Sequence, residues 1–255
     1  MKRLAVLIAC LSGPVCAQDS KSVSFDKRST FDLMKPETQA MQRDDASNPA
    51  MLWVQEGRAL WQAKAGSTDK ACQDCHGDVA SMKGVATRYP AYSAAQQKVV
   101  TLGQQIQFCR AQEQKAEPWT AEARPVLALS ALVGLQSRGL PLAKTGPAEA
   151  RAVAEGRALF TERRGQMNLS CAQCHDDHAG QSLGGAIIPQ GHPTGYPIYR
   201  LEWQDLGSLE RRLRNCLNGV RSEPWPSGSS ENVAVQTYLR ERAAGLPIET
   251  PAIRP

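Results

Sequence analysis

From residue 47 to the C-terminus the apolar residues recur with helical spacing, and no stretch sustains the alternation of a half-buried strand. The pattern predicts an all-α fold. Asn48-Pro49 opens the first helix, with proline in its first turn. Ser93 with Gln96 resembles a capping box ahead of a helix over 97–110. Ser208 caps a helix that runs through Cys216, and Ser230 caps a last helix that Gly245 ends. Residues 18–46 are polar and lack a helical period, so they read as an extension that packs on something larger or stays mobile.

The chain repeats itself. Glu56-Gly57-Arg58-Ala59-Leu60-Trp61 matches Glu155-Gly156-Arg157-Ala158-Leu159-Phe160, Tyr89-Pro90 matches Tyr196-Pro197, and Pro118-Trp119 matches Pro224-Trp225. Gly139-Leu140-Pro141-Leu142 matches Gly245-Leu246-Pro247-Ile248. Cys109 and Cys216 each follow their Tyr-Pro tyrosine by 20 residues. Gly146-Pro147 lies at the join and reads as a linker. The one sizeable length difference lies upstream of Tyr-Pro, where the segment from His76 spans 13 residues and that from His175 spans 21.

The first residues change the picture of where the chain works. Lys2 and Arg3, an apolar run from Leu4 to Leu11 and then Val15-Cys16-Ala17 read as a secretory signal cleaved after Ala17. A lipobox reading of Leu7-Ile8-Ala9-Cys10 is the alternative, set against a very short apolar run. Beyond the leader, no apolar run is long enough to span a bilayer. Cleavage leaves six of the eight cysteines and lowers the formal charge from +5 to +3 with the loss of Lys2 and Arg3. That balance names no partner, and neither nucleic acid nor membrane is expected.

Four of those cysteines carry the candidate chemistry. Cys72-Gln73-Asp74-Cys75-His76 and Cys171-Ala172-Gln173-Cys174-His175 both read C-x-x-C-H, the attachment signature of a c-type haem. Two thiols one turn apart add to two vinyl groups, and the adjacent imidazole binds iron. A single copy could be a zinc half-site or a redox pair; two copies 99 residues apart argue for haem. The expectation is therefore two covalently bound haem c groups in an all-α fold of two tandem cytochrome c-like haem domains related by an internal repeat. The domains span 47–145 and 146–255, after a signal peptide at 1–17 and an extension at 18–46. His76 and His175 are the proximal ligands, and the second domain holds the active-site haem.

Each iron needs a further ligand. Met82 and Met167 do not occupy equivalent places, and His178 and His192 read as loop histidines. Cys109 and Cys216 do occupy equivalent places, and a thiolate is a competent iron ligand, so they are the candidate distal ligands. A disulfide between them is the alternative that an oxidising compartment leaves open. The two positions differ in their approach. Gln104, Gln105 and Gln107 precede Cys109; Arg211, Arg212 and Arg214 precede Cys216. Arg212 is one helical turn from Cys216 and on its face, where a guanidinium stabilises a thiolate and binds oxyanions. Arg211 is ambiguous, Arg214 points elsewhere, and a merely solvated basic helix is the bland alternative. The second unit is thus the candidate reaction site, with Cys216 as sulfur nucleophile or carrier and Arg212 as its anion-binding partner.

At this point the residues resemble the SoxA family, the dihaem subunits of the SoxAX cytochromes of bacterial sulfur oxidation. The resemblance rests on Ala71-Cys72 through His76, Ser81 through Ala86, Gly191-His192-Pro193-Thr194-Gly195-Tyr196-Pro197, Ser208 through Cys216, and the Gly245-Leu246-Pro247-Ile248 tail. It covers nearly the whole mature chain. It implies an L-cysteine S-thiosulfotransferase of the periplasm. Such an enzyme joins thiosulfate oxidatively to a cysteine of the SoxYZ carrier and passes two electrons to cytochrome c, with SoxX, a monohaem subunit, as partner. It further implies that Cys216 ligates the active-site haem and carries a persulfide, that Arg212 is catalytic, and that Cys109 ligates the other haem. The residues alone leave three rivals: a plain dihaem electron carrier, a thiosulfate dehydrogenase that makes tetrathionate, and a haem-bearing scaffold.

Overall fold

In the computed structural model the described residues are 26–255. The predicted signal peptide, with Cys10 and Cys16, lies outside them. The extension forms a 3-10 turn and α1 (Pro36–Arg43). The first unit follows as α2 (Met51–Gln62), α3 (Cys72–His76), the strands β1 (Ala91–Ser93) and β2 (Lys98–Val100), α4 (Leu102–Gln112) and α5 (Arg124–Leu135). The second unit runs through α6 (Ala150–Thr161), a π-type turn (Gln173–Asp177), and the strands β3 (Ser182–Leu183), β4 (Ala186–Ile187), β5 (Ile198–Arg200) and β6 (Asp205–Gly207). It ends with α7 (Leu209–Gly219), α8 (Ser230–Arg242) and β7 (Ala252–Arg254).

The fold is mostly helical, as the spacing predicts. Both units are built on one crossing of two helices, α2 on α5 and α6 on α8. A glycine sits at each crossing. A Cβ on Gly57 would lie 2.5 Å from the Ala128 carbonyl oxygen, and one on Gly156 2.0 Å from that of Ala234. The first crossing buries Trp53, Val54 and Trp61 against Leu127–Val133; the second buries Phe160 against Leu213, Val235 and Leu239. Each such large side chain contributes about 1.5–3 kcal/mol on full burial.

The tails of the two units exchange backbone hydrogen bonds reciprocally. Gly139 N–H donates to Ile248 O at 2.8 Å, and Gly245 N–H donates to Leu142 O at 2.9 Å. Leu142 N–H donates to Leu246 O at 2.8 Å, and Ile248 N–H to Leu140 O at 2.9 Å. The matching Gly-Leu-Pro tails of the repeat are thus partners of one another, bridged at Pro141 and Pro247. The β5–β6 hairpin leans on the first unit: Leu206 enters its core, and Tyr199 meets Trp53 edge-on at 5.6 Å. β7 pairs in parallel with β5, which makes the C-terminal tail the third strand of that sheet.

Four local expectations shift. Residues 91–100 form a hairpin that turns at Gln97 (φ +53°), and the next helix starts at Leu102 under a Thr101–Gln104 capping box, so Ser93 caps nothing. Pro49 stands in the turn before α2, where Asn48 Oδ1 accepts the Ala50 N–H. Ser229, one residue before Ser230, caps α8. That helix ends at Arg242, three residues before the left-handed Gly245. Ser208 does cap α7. The part of the extension from residue 26 packs on both units. Gln42 Oε1 accepts from Ile253 N and Arg254 Nη1, Asp45 pairs with Arg138 at 2.6 Å, and Arg28 O accepts from His192 Nδ1 at 2.6 Å.

Candidate functional site

In the second unit the turn from Cys171 places both thiols of Cys171 and Cys174 one turn apart, with His175 next along. The His175 ring is fixed from behind: Nδ1–H donates to the Pro189 carbonyl at 2.6 Å, and Phe160 lies 6.5 Å away. That bond leaves Nε2 as the nitrogen free for a metal. Cys216, on α7, comes within hydrogen-bonding reach of His175. Burial pushes the Cys216 thiol up, but the His175 contact and the guanidinium charges of Arg212 and Arg200 outweigh it and hold the thiol below its usual value. The neighbouring thiols go the other way. Burial lifts Cys171 to about 11 and raises Cys174, each with help from the charge at Cys216.

Arg200 is a site residue that sequence reasoning missed. It lies at the end of β5 with its side chain only 14% exposed, and one nitrogen is 3.1 Å from Glu202. Its Nε is buried with no partner. Burial and the charge of Arg212 lower its pKa, so the two guanidiniums sit close enough to repel. A pair of like charges beside a thiolate is a receptor for an anion carrying more than one negative charge. Arg200 stands four residues after Tyr196, where the first unit has Ser93 four after Tyr89; that contrast was its only signal. Tyr196 itself, singled out only as a landmark of the repeat, faces the same groups, and burial pushes it up to about 12. Arg211 is engaged elsewhere, 3.5 Å from Asp205 and 4.1 Å over the Trp203 ring.

The first unit repeats the frame with different chemistry. A cavity of about 570 Å³ is lined by Cys72, Cys75, His76 and Cys109, with Trp61, Met82 and Val133 among its walls. Trp61 lies 5.7 Å from the His76 ring, matching Phe160 beside His175. Gln105 Nε2–H donates to Cys109 Sγ at 3.4 Å, where the second unit has Arg212. Met82 lies two residues before Gly84 as Pro189 lies two before Gly191, and both glycines are left-handed. Met82 lines the same cavity as His76 and Cys109. His178 and Met167 are exposed, and His192 is held by the extension. Among the described residues the six cysteines are free, so no disulfide joins Cys109 to Cys216.

These residues fit haem c. The first cavity is walled mainly by apolar groups around two thiols, a histidine and a thiolate candidate. Its rim carries Arg110 stacked 3.7 Å over Trp119. In the second unit Arg164 stands 5.0 Å over Trp225, whose buried Nε1–H has no partner within the protein. A cation and a free indole N–H suit the carboxylate edge of a porphyrin. Among the described residues no helix is long and apolar enough to cross a membrane.

Comparison with known proteins agrees with this geometry. The family model "SoxA/TsdA, cytochrome c domain" matches residues 56–142 and again 155–248. The chain is 37% identical over 234 residues to the L-cysteine S-thiosulfotransferase subunit SoxA of Rhodovulum sulfidophilum, covering 90% of this chain and 81% of that one. It is 35% identical to the subunit of the same name from Pseudaminobacter salicylatoxidans, over 86% and 77% of the two chains. A chain of the crystal structure of SoxXA from P. pantotrophus superposes with a TM-score of 0.86 at 28% identity, covering 90% of this chain and 87% of that one.

Proposed function

The chain belongs to the SoxA family and carries covalently bound haem c, and from that premise we propose that it is an L-cysteine S-thiosulfotransferase subunit acting at Cys216 in the periplasm. It holds two haems, one in each of the domains 47–145 and 146–255. Cys72, Cys75, Cys171 and Cys174 would attach them, and His76 with Cys109, and His175 with Cys216, would ligate the two irons. Its partners are the monohaem SoxX subunit, the SoxYZ carrier and a cytochrome c acceptor.

One observation carries this reading: the charges of Arg212 and Arg200 both act on Cys216, while Gln105 and Ser93 stand at the matching places of the first unit. Thiosulfate is a dianion. Arg212 and Arg200 take its sulfonate oxygens and relieve their mutual repulsion by doing so. The outer sulfur is thereby directed at the sulfur on Cys216. A sulfur–sulfur bond forms as two electrons leave, and the carrier's cysteine thiolate then attacks that bond. The carrier departs as its cysteine S-thiosulfonate, and the sulfur on Cys216 leaves that bond as the anion that began the cycle. The bound haem supplies the one-electron steps by which the pair of electrons departs. Cys171 and Cys174, held as neutral thiols by burial, are suited to thioether attachment rather than to this exchange.

The test is thiosulfate-dependent reduction of cytochrome c by the holoprotein with SoxX, in the presence and absence of SoxYZ, with the carrier weighed afterwards. A carrier heavier by one thiosulfonate group, and no turnover without it, is the expected result. Tetrathionate formed without carrier would instead make the chain a thiosulfate dehydrogenase. Mass spectrometry of the Cys216 peptide, without reductant, gives an independent check: added sulfur there and none on Cys109.

A further inference from the structure

The helix that carries Arg212 and Cys216 does not cap itself. In the first unit α4 is closed by a self-contained box. Thr101 Oγ1 accepts the Gln104 N–H at 3.2 Å, and Gln104 Oε1 reaches back to accept the Thr101 N–H at 2.9 Å. In α7 the hydroxyl half survives, since Ser208 Oγ accepts the Arg211 N–H at 3.1 Å. The return half cannot form. The residue at the glutamine's place is Arg211, which has donors only, and it is occupied with Asp205 and Trp203.

The missing acceptor comes from the other unit. Glu122, in the loop before α5, accepts the Ser208 N–H on Oε2 at 3.4 Å and the Ser208 hydroxyl proton on Oε1. Taking that proton fixes the hydroxyl so that its lone pairs face the Arg211 N–H. It also places a negative charge at the positive end of α7. The repeat counterpart of Glu122 is Gly228, three residues after Trp225 as Glu122 is three after Trp119. Gly228 has no acceptor side chain to lend. Its carbonyl merely takes a hydrogen bond from Gln104 Nε2 at 3.3 Å. The exchange between units is therefore one-sided, and it favours the helix whose own box the Gln-to-Arg change removes.

We infer that Glu122 is a positioning residue for the sulfur site, and that completing the cap of α7 is a service the first unit performs for the second. A helix is stiff, so its first turn sets where the next two turns lie. Arg212 and Cys216 follow Ser208 by four and eight residues. Glu122 touches neither substrate nor reacting sulfur. The inference rests on Cys216 and Arg212 being the reacting pair only for its effect on turnover; its effect on the metal site stands apart from that reading.

The experiment compares Glu122→Ala, Glu122→Gln and Gln104→Ala in the full-length, haem-loaded chain with its SoxX partner. Low-spin ferric electron paramagnetic resonance signals of the two thiolate-ligated sites are followed beside thiosulfate turnover. Glu122→Ala is expected to shift or broaden the signal of the second site, to leave that of the first unchanged although Glu122 belongs to the first unit, and to lower turnover about tenfold. Glu122→Gln keeps one acceptor oxygen and is expected to recover part of both readouts. Gln104→Ala, which opens the box of α4, is expected to move the first signal alone. A Glu122→Ala protein with an unchanged second signal and turnover within twofold of the parent overturns the inference, as does a shift confined to the first site. If Glu122→Ala fails to load haem, Glu122→Gln and Ser208→Ala carry the same comparison. A parent protein without thiosulfate turnover would defeat the functional reading and still leave the spectra to decide the role of Glu122.

Discussion

The two units of the repeat share a frame and differ around the cysteines of α4 and α7. Helix crossing, cysteine turn, Tyr-Pro hairpin and cysteine helix recur in both, down to left-handed residues at Asp69 and Asn168, Gln97 and Gln204, and Lys115 and Arg221. Around the distal cysteines the likeness stops. Cys109 receives a neutral amide from Gln105, while Cys216 lies among His175, Arg212 and Arg200. An amide gives the thiolate one hydrogen bond and no net charge. Two guanidiniums stabilise the thiolate and attract a dianion to it. The frame occurs twice, and two side-chain positions, Gln105 against Arg212 and Ser93 against Arg200, set one copy apart. The segment between His175 and Tyr196, eight residues longer than its counterpart, also carries the Pro189 carbonyl that orients the imidazole.

Deleting each cysteine in turn tests the contrast between the units most severely. Cys216→Ser is expected to abolish carrier modification, a loss of at least about a thousandfold, as for a covalent nucleophile. Cys109→Ser, in the matching place, is expected to keep turnover within about threefold, since Gln105 and Ser93 stand there where Arg212 and Arg200 serve Cys216. The mass of the carrier after reaction with thiosulfate measures both. Equal losses at the two positions would mean that the sites are coupled and that the contrast in side chains is incidental.

Next come the arginines. Arg212→Gln gives the second unit the residue of the first and is expected to cost about 10–100-fold in kcat/KM, the range for one hydrogen bond to a charged group of about 1.5–3 kcal/mol. Arg200→Ser, again the first unit's residue, is expected to cost about tenfold and to appear mainly in KM for thiosulfate. Steady-state kinetics over a range of thiosulfate concentrations separates the two. No loss for Arg200→Ser would remove it from the anion site and leave Arg212 alone there.

Arg200 also marks the boundary of what could be read without a structure. Helical spacing, the two C-x-x-C-H motifs and the matched places of Cys109 and Cys216 were legible because each is a local or periodic signal. Ser208 as a cap was legible for the same reason. Arg200 and Glu122 were not, since both reach their partners through the return of a distant loop. The hairpins escaped because strands of two or three residues, such as Tyr199 between Ile198 and Arg200, are too short for alternation to register. Ser93 misled because a stronger box, Thr101 with Gln104, lies eight residues on and a hairpin fills the space between. The mutual pairing of the two Gly-Leu-Pro tails was invisible for another reason: a repeat announces that two segments are alike, not that they touch.

Where the units are truly alike, matched changes should have like effects. Gly57→Ala and Gly156→Ala each drive a methyl group into a backbone carbonyl at the helix crossing. Overpacking of this kind costs about 1–3 kcal/mol, with less than about 1 kcal/mol returned by the better helix propensity of alanine. Calorimetry should show a fall in Tm of about 2–4 °C for each kcal/mol lost. Gly156→Ala should be the worse of the two, because its new methyl lies 2.0 Å from Ala234 O and 2.8 Å from Tyr238 Cβ. Neither variant is expected to alter the ratio of kcat to KM, as neither glycine faces a distal cysteine.

A single charge added to the first unit probes the contrast from the other side. Gln105→Arg gives the first site half of what distinguishes the second, yet it should not create thiosulfate turnover at Cys109. Ser93 still stands where Arg200 would be needed, so a dianion meets a single cation and no converging pair. What the change does bring is a charge. A cation added beside Cys109 favours the reduced state by about 1 kcal/mol as an order-of-magnitude Coulomb effect, which raises that site's potential by about 40 mV for a one-electron couple. Redox titration with optical detection, run on Cys216→Ser so that the second site stays silent in turnover, would show a shifted first haem and no modified carrier. Turnover gained at Cys109 would mean that one arginine suffices, and that Arg200 serves the fold of β5 rather than the anion.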